Sequence, residues 1–478
     1  MNPIQKLAKN IASFFGSQII SYIIGFVFTV YLVRYLGVEN YGVLSFALAL
    51  TNILLILADF GLNTLMTREV ARDKSLTQKY LNHIFSVKIL QVSILVSLVI
   101  LFVKLVGYPE QTVFVLYFMM LYLVFSTLSG IFPALFQAYE KLEYQSIAVV
   151  LNSLLMLIGV FILINYNCGL LMFTFLYAIV SSLVLIYYLF IAMSRFKFPK
   201  PSLTFDWVFW KVTIKTAAQF GLIGVFSTLY VTIDSVMLSF MQGNEAVGLY
   251  NAAYRIVLLL LFIPGAINVA IFPLMSRLYG SSRKSLEIIT EKYFKSMILL
   301  GIPIGVAFTV LSNQIIILIF GKAFMESAPA LQILIWGTVF TFGNAAFVQL
   351  FQSINKQIIT TKITFIGMIV NIALNLLLIP KFSYIAASFN TLITEFIVFA
   401  MVLYLASRLG YINNGKILIQ DTLKIILSSL IMGIFIFIFK DLNLFILILT
   451  SILLYIILLF VFKGINDEDI NIIKNIIK

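Results

Sequence analysis

The sequence predicts an all-α polytopic membrane protein of about fourteen transmembrane helices. Three observations carry that prediction. Of 478 residues, 62% are apolar and 11% charged, whereas a soluble domain carries roughly a quarter charged residues. Windows of about 20 apolar residues recur from end to end, each long enough to cross about 30 Å of hydrocarbon as a helix. These runs are continuous rather than alternating, which argues against a β-barrel. A helix satisfies its own backbone polar groups within the segment, as lipid requires.

The expected spans fall near 11–35, 41–63, 81–106, 112–137, 144–165, 169–193, 214–241, 247–274, 292–313, 327–352, 359–380, 384–407, 421–439 and 442–462. Lys440 and Asp441 alone separate the last two. The polar start MNPIQKLAKN leads into an apolar run from Ile11 to Val33. That run is too long for a signal-peptide core and has no small-residue cleavage site after it, so it reads as an uncleaved first span. Cys168 is the single cysteine, which excludes an intrachain disulfide, and His83 is the single histidine. No cluster has metal-ligand spacing, and no metal or organic cofactor is expected.

Loop charge sets the expected topology. With the N-terminus cytoplasmic, inner loops and flanks hold about 26 Lys and Arg, and outer loops hold about five. That asymmetry places both termini in the cytoplasm and the protein in the cell (inner) membrane. The net charge of +13 then reflects orientation and contact with anionic lipid heads. Its scatter over separate loops argues against nucleic acid. No outer loop exceeds about eight residues, and the inner connections near 64–80, 194–213 and 275–291 are modest. The function is therefore expected inside the membrane. The tail INDEDINIIKNIIK is read as a short surface helix.

One short pattern occurs twice. Residues 37–42 read GVENYG and residues 243–248 read GNEAVG, both G-x-E-x-x-G in a polar gap between long apolar runs. Glycine permits the turn, and Glu39 or Glu245 lies near the start of the following helix, where its charge is favourable. Six spans separate the two hairpins, so both enter the membrane from the same side. This implies two six-helix lobes, 1–195 and 196–410, in a parallel pseudo-two-fold repeat, with 411–478 holding two appended helices and the tail. In such architectures a cleft lies at the repeat interface and opens alternately to each side.

Ionisable residues deep in spans are candidate functional groups. Asp234 precedes Gly243 by nine residues and Arg255 follows Gly248 by seven, so both sit roughly 10–14 Å below the outer turn. Two readings stand: a buried ion pair fixing the hairpin, or Arg255 binding an anionic headgroup with Asp234 orienting it or releasing it on protonation. Glu395, near the middle of its span, suits either a proton-coupled step or a helix-joining hydrogen bond. Asp59 and Arg68, in DFGLNTLMTREVAR, are read as an inner gate or a helix-end lock. Lys88 and Lys215 are expected to reach lipid phosphates from the first turns of their spans. Polar amides including Asn371, Asn375 and Asn390 punctuate the spans, either joining helices or lining wet cavities.

RYLGVENYGVLSFALA, DFGLNTLMTREVAR, TIDSVMLSFMQGNEAVGLYNAAYRI and NIALNLLLIPKFSYIAASFNTLITE together carry a resemblance over essentially the whole chain. The sequence resembles the polysaccharide-exporting branch of the multidrug/oligosaccharidyl-lipid/polysaccharide (MOP) exporter superfamily. Their order and spacing are more telling than any one motif. KFSYIAAS departs from the pattern, which has glycines around an alanine pair there. The resemblance implies a flippase rather than an enzyme. It would move a polyprenyl-pyrophosphate-linked oligosaccharide from the cytoplasmic to the outer leaflet by alternating access. The purpose would be O-antigen, capsule or exopolysaccharide synthesis. Coupling to H+ or Na+ is implied, and membrane lipids and other polysaccharide-assembly membrane proteins are implied partners. No nucleotide-binding loop is visible.

Two other functions compete. A cation-coupled multidrug exporter of the same superfamily would favour a carboxylate-lined cleft, whereas the deep charges here are mixed. A membrane polysaccharide polymerase or ligase would need a sizeable outer loop. A channel is disfavoured by the lack of a ring of repeated charges.

Overall fold

The computed structural model describes residues 3–198, 200–412 and 415–465. The expected surface helix of the tail lies almost wholly outside them. Among the described residues the secondary structure is helical: α1 (Pro3–Asp59), α2 (Leu62–Arg72), α3 (Thr77–Val106), α4 (Glu110–Ser129), α5 (Ile131–Ala138), α6 (Leu142–Asn165), α7 (Leu170–Ser194), α8 (Trp207–Gln242), α9 (Asn244–Leu260), α10 (Phe262–Ser281), α11 (Arg283–Phe320), α12 (Ala328–Ser353), α13 (Gln357–Arg408), α14 (Gly415–Ile438) and α15 (Leu444–Val461).

Twelve candidate spans among the described residues are long and apolar enough to cross a membrane. Two far exceed one crossing: Phe14–Arg72 has 59 residues and Gln357–Arg408 has 52. A single crossing needs about 20. Each is interrupted by a non-helical residue, Gly37 (φ 74°, ψ 179°) in α1 and Ser383 (φ 53°, ψ −140°) in α13.

Chain contacts group into two compact units, Met1–Gly248 and Leu249–Lys478. In the first unit, α1 packs along α6, α4 and α8, and α4 packs on α7. Aromatic pairs join α1 to its neighbours, with Tyr31 and Phe161 ring centroids 4.8 Å apart. The Tyr35 hydroxyl donates to the Cys168 carbonyl at 3.1 Å. A core of Met66, Ile84, Leu135 and Trp210 gathers α2, α3, α5 and the start of α8.

The two G-x-E-x-x-G turns meet in this unit. Gly37 and Gly243 share one backbone conformation, with Gly243 at φ 86°, ψ −178°. The second glycines make the contact. A Cβ on Gly42 would overlap the Asn244 carbonyl, and one on Gly248 would overlap the Val38 carbonyl. Only glycine lets the two backbones approach this closely.

In the second unit, α12 packs between α11 and α13, α10 packs on both α11 and α12, and α14 lies on α11 with α15 against it. The α14–α11 contact is tied by charge. Lys295 Nζ lies 2.8 Å from Asp421 Oδ2, and Lys424 Nζ lies 3.3 Å from Asp421 Oδ1. At the start of α11, Arg283 donates through Nη2 to the Leu409 carbonyl at 2.9 Å.

Candidate functional site

The first unit holds a buried ion pair. α1 ends at Asp59, and the chain turns through Phe60 (φ 39°) and Gly61 (φ 81°). This turn sits directly on α8, where a Cβ on Gly61 would overlap the Ala217 carbonyl. The geometry leaves the Asp59 carboxylate facing α3. Lys88 Nζ donates to Asp59 Oδ1 at 2.8 Å, and the Asn63 amide donates to the same oxygen at 3.3 Å. The Lys88 side chain is 1% exposed.

Two expectations are corrected here. Asp59 does not pair with Arg68: Arg68 Nη2 lies 2.7 Å from Glu69 Oε1, and its guanidinium stands over the Phe220 ring at 5.3 Å. The left-handed pair Phe60–Gly61 breaks the helix between them and restarts it in a new direction as α2. Nor does Lys88 reach outward to lipid; it is enclosed and neutralised by Asp59. α3 begins at Thr77, so Lys88 stands 11 residues beyond its start, and a lysine that far inside a spanning helix requires a partner. Asp234, on α8 in this unit, is 2% exposed, with Ser235 and Ser239 also buried beside it in sequence.

The second unit carries Arg255, half-buried on α9, and Glu395, half-buried on α13. Glu395 Oε2 accepts from Thr341 Oγ1 on α12 at 2.9 Å. One turn earlier on α13, Thr391 Oγ1 lies 3.3 Å from the Tyr250 hydroxyl of α9. Tyr250 is itself stacked on Tyr254 at 5.5 Å. The helix bearing Arg255 is thus attached to the helix bearing Glu395. Below them runs an amide chain: Asn390 Nδ2 donates to Asn375 Oδ1 at 3.0 Å, and Asn375 Nδ2 to Asn371 Oδ1 at 2.9 Å. All three asparagines are buried. The sequence named these amides without sorting them by face; the chain assigns them to helix joining inside α13. Thr341 and the Lys295–Asp421 pair are not among the candidates the sequence offers.

An apolar cavity of about 600 Å³ opens between α11, α12, α13 and α14. Its walls include Ile298, Phe340, Phe399, Leu418, Leu423 and Ile426. Such a lining accepts hydrocarbon and offers almost nothing to a sugar or a charge. Among the described residues no group of three or more His, Cys, Asp or Glu is placed to hold a metal ion.

Comparison with known proteins defines the class. The fold matches the lipid II flippase MurJ in an inward closed conformation, with a TM-score of 0.79 and 20% identity over 96% of this chain and 99% of that one. It also matches an inward-facing multidrug resistance MATE transporter of the MOP superfamily, with a TM-score of 0.66 and 15% identity over 81% and 95%. The chain is a multi-pass membrane protein with the MOP transporter fold.

The polysaccharide biosynthesis protein family model matches residues 7–279, more than half the chain, and the MatE model matches residues 221–377. The chain belongs to the polysaccharide biosynthesis protein family, the polysaccharide branch of the MOP superfamily. It is 24% identical to the capsular polysaccharide biosynthesis protein CapF of Staphylococcus aureus over 84% of this chain and all of that one. It is 24% identical to a putative O-antigen transporter of Escherichia coli K12 over 81% and 92%. An uncharacterized membrane protein of Methanocaldococcus jannaschii is 27% identical, but the alignment spans only 51% of this chain and 49% of that one.

Proposed function

We propose that this protein is a flippase that carries a polyprenyl-pyrophosphate-linked oligosaccharide from the cytoplasmic to the outer leaflet by alternating access. Its product would feed cell-surface polysaccharide assembly. The observation that carries this reading is the apolar cavity between α11 and α14, about 600 Å³ of hydrocarbon-lined space within a bundle of spans. A polyprenyl chain is long, apolar and branched, and this lining suits it. The relatives named for O-antigen transport and capsule synthesis support the same substrate class.

In this reading α1 and α13 each fold back, at Gly37 and Ser383, giving fourteen crossings with both termini cytoplasmic. Arg255 binds the pyrophosphate, through the fork that suits phosphate oxygens. Glu395 takes part in coupling to H+ or Na+. Asp59 acts with Lys88 rather than with Arg68.

The test is transfer of a fluorescent polyprenyl-pyrophosphate oligosaccharide between leaflets of proteoliposomes. Wild-type protein accelerates transfer, and Leu423→Trp, which fills the cavity, slows it while the protein remains folded. A second reading, a cation-coupled drug exporter, is favoured by the MatE match over residues 221–377. Efflux of a cationic dye under a proton or sodium gradient, with no lipid transfer, sinks the flippase and leaves the exporter.

A further inference from the structure

The connection between α7 and α8 contains a surface that the transport reading does not use. Residues 200–206 run as an extended strap along α3. The Ser202 amide donates to Asn82 Oδ1 at 3.1 Å, and the Thr204 amide donates to Ser86 Oγ at 2.9 Å. Thr204 Oγ1 lies 3.3 Å from His83 Nδ1. Fastening Ser202 and Thr204 inward turns the alternate residues Leu203 and Phe205 outward, and Phe205 is 78% exposed. Asp206 then caps α8, accepting from the Phe209 amide at 3.0 Å.

The first turns of α8 continue that outward surface. Trp207, Val208, Lys211, Val212 and Lys215 fall at spacings of one and four residues, so they share one helix face. All five are exposed, Trp207 at 64%. The other side of the helix is anchored: Phe209 lies 4.4 Å from the His83 ring, and Trp210 is buried in the core of α2, α3 and α5. Over residues 195–215 there are five basic side chains, Arg195, Lys197, Lys200, Lys211 and Lys215, against the single acid Asp206, which is engaged as the cap.

We propose that this strap and helix face form a binding surface for anionic phospholipid of the leaflet they meet. Leu203, Phe205, Trp207 and Val208 enter the boundary between headgroups and acyl chains. Lys211 and Lys215 bend their ammonium groups back to the lipid phosphates. A contiguous apolar face in water is a liability, whereas a bilayer boundary covers it and favours tryptophan there. Two lysines on an apolar stripe match an anionic headgroup above hydrocarbon, because their stems lie in the apolar layer while their charges reach the phosphates. Each basic residue near a membrane surface favours anionic lipid by about fivefold. The proposal needs only a membrane-embedded chain and stands apart from the flippase reading.

The experiment uses full-length protein with Trp210→Phe and Trp336→Phe, leaving Trp207 as the only tryptophan. It is reconstituted in vesicles of phosphatidylcholine and phosphatidylglycerol at fixed ratio, with bromine on one lipid or the other. Brominated phosphatidylglycerol is expected to quench Trp207 several-fold more than brominated phosphatidylcholine at equal mole fraction. That excess disappears in Lys211→Gln/Lys215→Gln and persists in Lys211→Arg/Lys215→Arg. Native mass spectrometry of the wild type and the Gln pair gives a second reading free of the tryptophan changes, with retained phosphatidylglycerol lost in the Gln pair. Equal quenching by both lipids overturns the proposal, as does quenching by neither, which would mean another protein or a second copy covers the face. Displacement of phosphatidylglycerol by stoichiometric polyprenyl pyrophosphate overturns it too, by assigning the surface to the transported lipid.

Discussion

Gly42 and Gly248 hold reciprocal positions: each presses its bare backbone against the other's turn, Gly42 on the Asn244 carbonyl and Gly248 on the Val38 carbonyl. The two turns are the G-x-E-x-x-G repeats, and their leading glycines share a conformation that L-residues rarely adopt. The repeat in the sequence is therefore also a contact in the fold. Gly42→Ala and Gly248→Ala should each destabilise the protein by about 1–3 kcal/mol, the usual cost of forcing atoms into a filled space. Gly16→Ala, on the same α1 with nothing within 4 Å of its Cβ, serves as the control and should be neutral or slightly stabilising. Thermal unfolding in detergent, followed by size-exclusion recovery, separates the two outcomes. Equal melting temperatures for Gly42→Ala and Gly16→Ala would show that the turns do not bear on one another.

The Asp59–Lys88 pair makes a different demand. Removing one charge from a buried pair leaves the other uncompensated, at about 3–5 kcal/mol, whereas replacing both with apolar groups is often neutral. Lys88→Met and Asp59→Leu should each lower the melting temperature sharply, and the double variant should recover most of the loss. A double variant as unstable as the sum of the singles would mean that the two side chains act independently. Arg68→Ala, whose side chain is half-exposed beside Glu69, should cost about 1 kcal/mol or less.

Much of this fold was legible because bilayer physics leaves few alternatives. Long apolar runs had to be helices, and the polar gaps between them had to be turns. The repeated glycines were visible as letters, and their shared conformation follows from the residue type. Charge pairing was less legible. Asp59 and Lys88 are 29 positions apart, and the partner of Asp59 was decided by a left-handed turn at Phe60–Gly61 that the letters FG only hint at. Arg68 was the nearer cation in sequence, but it lies beyond that turn. The asparagines of α13 could not be sorted because the helix bends between Asn375 and Asn390, so a single helical wheel does not describe both.

That bend yields a further prediction. Ser383 stands at φ 53°, ψ −140°, a region that glycine occupies readily and other residues occupy under strain. The pattern of the family this stretch resembles has glycines around the alanine pair, and KFSYIAAS has none. Ser383→Gly should therefore stabilise the protein by about 1 kcal/mol, the relief of strain exceeding the added freedom of the unfolded chain. A rise of a few degrees in melting temperature is expected, and Ser383→Val should fall below wild type. If Ser383→Gly melts below wild type, the kink is held by contacts of the serine side chain and not merely tolerated.

Arg255 and Glu395 offer the sharpest test of transport chemistry. A guanidinium presents a planar fork to phosphate oxygens, whereas a lysine offers one compact charge. If Arg255 binds the pyrophosphate, Arg255→Ala should slow lipid transfer roughly ten- to a hundredfold, the range expected for one lost charge-assisted contact. Arg255→Lys should fall between wild type and Ala. Glu395 is held by Thr341 Oγ1 at 2.9 Å, so Thr341→Val removes that donor and keeps the carboxylate. Glu395→Gln should abolish the response of transfer to an imposed proton or sodium gradient. Thr341→Val should only weaken that response. Each variant is compared at matched folded fraction. Transfer that is unchanged in Arg255→Ala would return Arg255 to a structural role. Gradient dependence that survives Glu395→Gln would move the coupling site elsewhere in the chain.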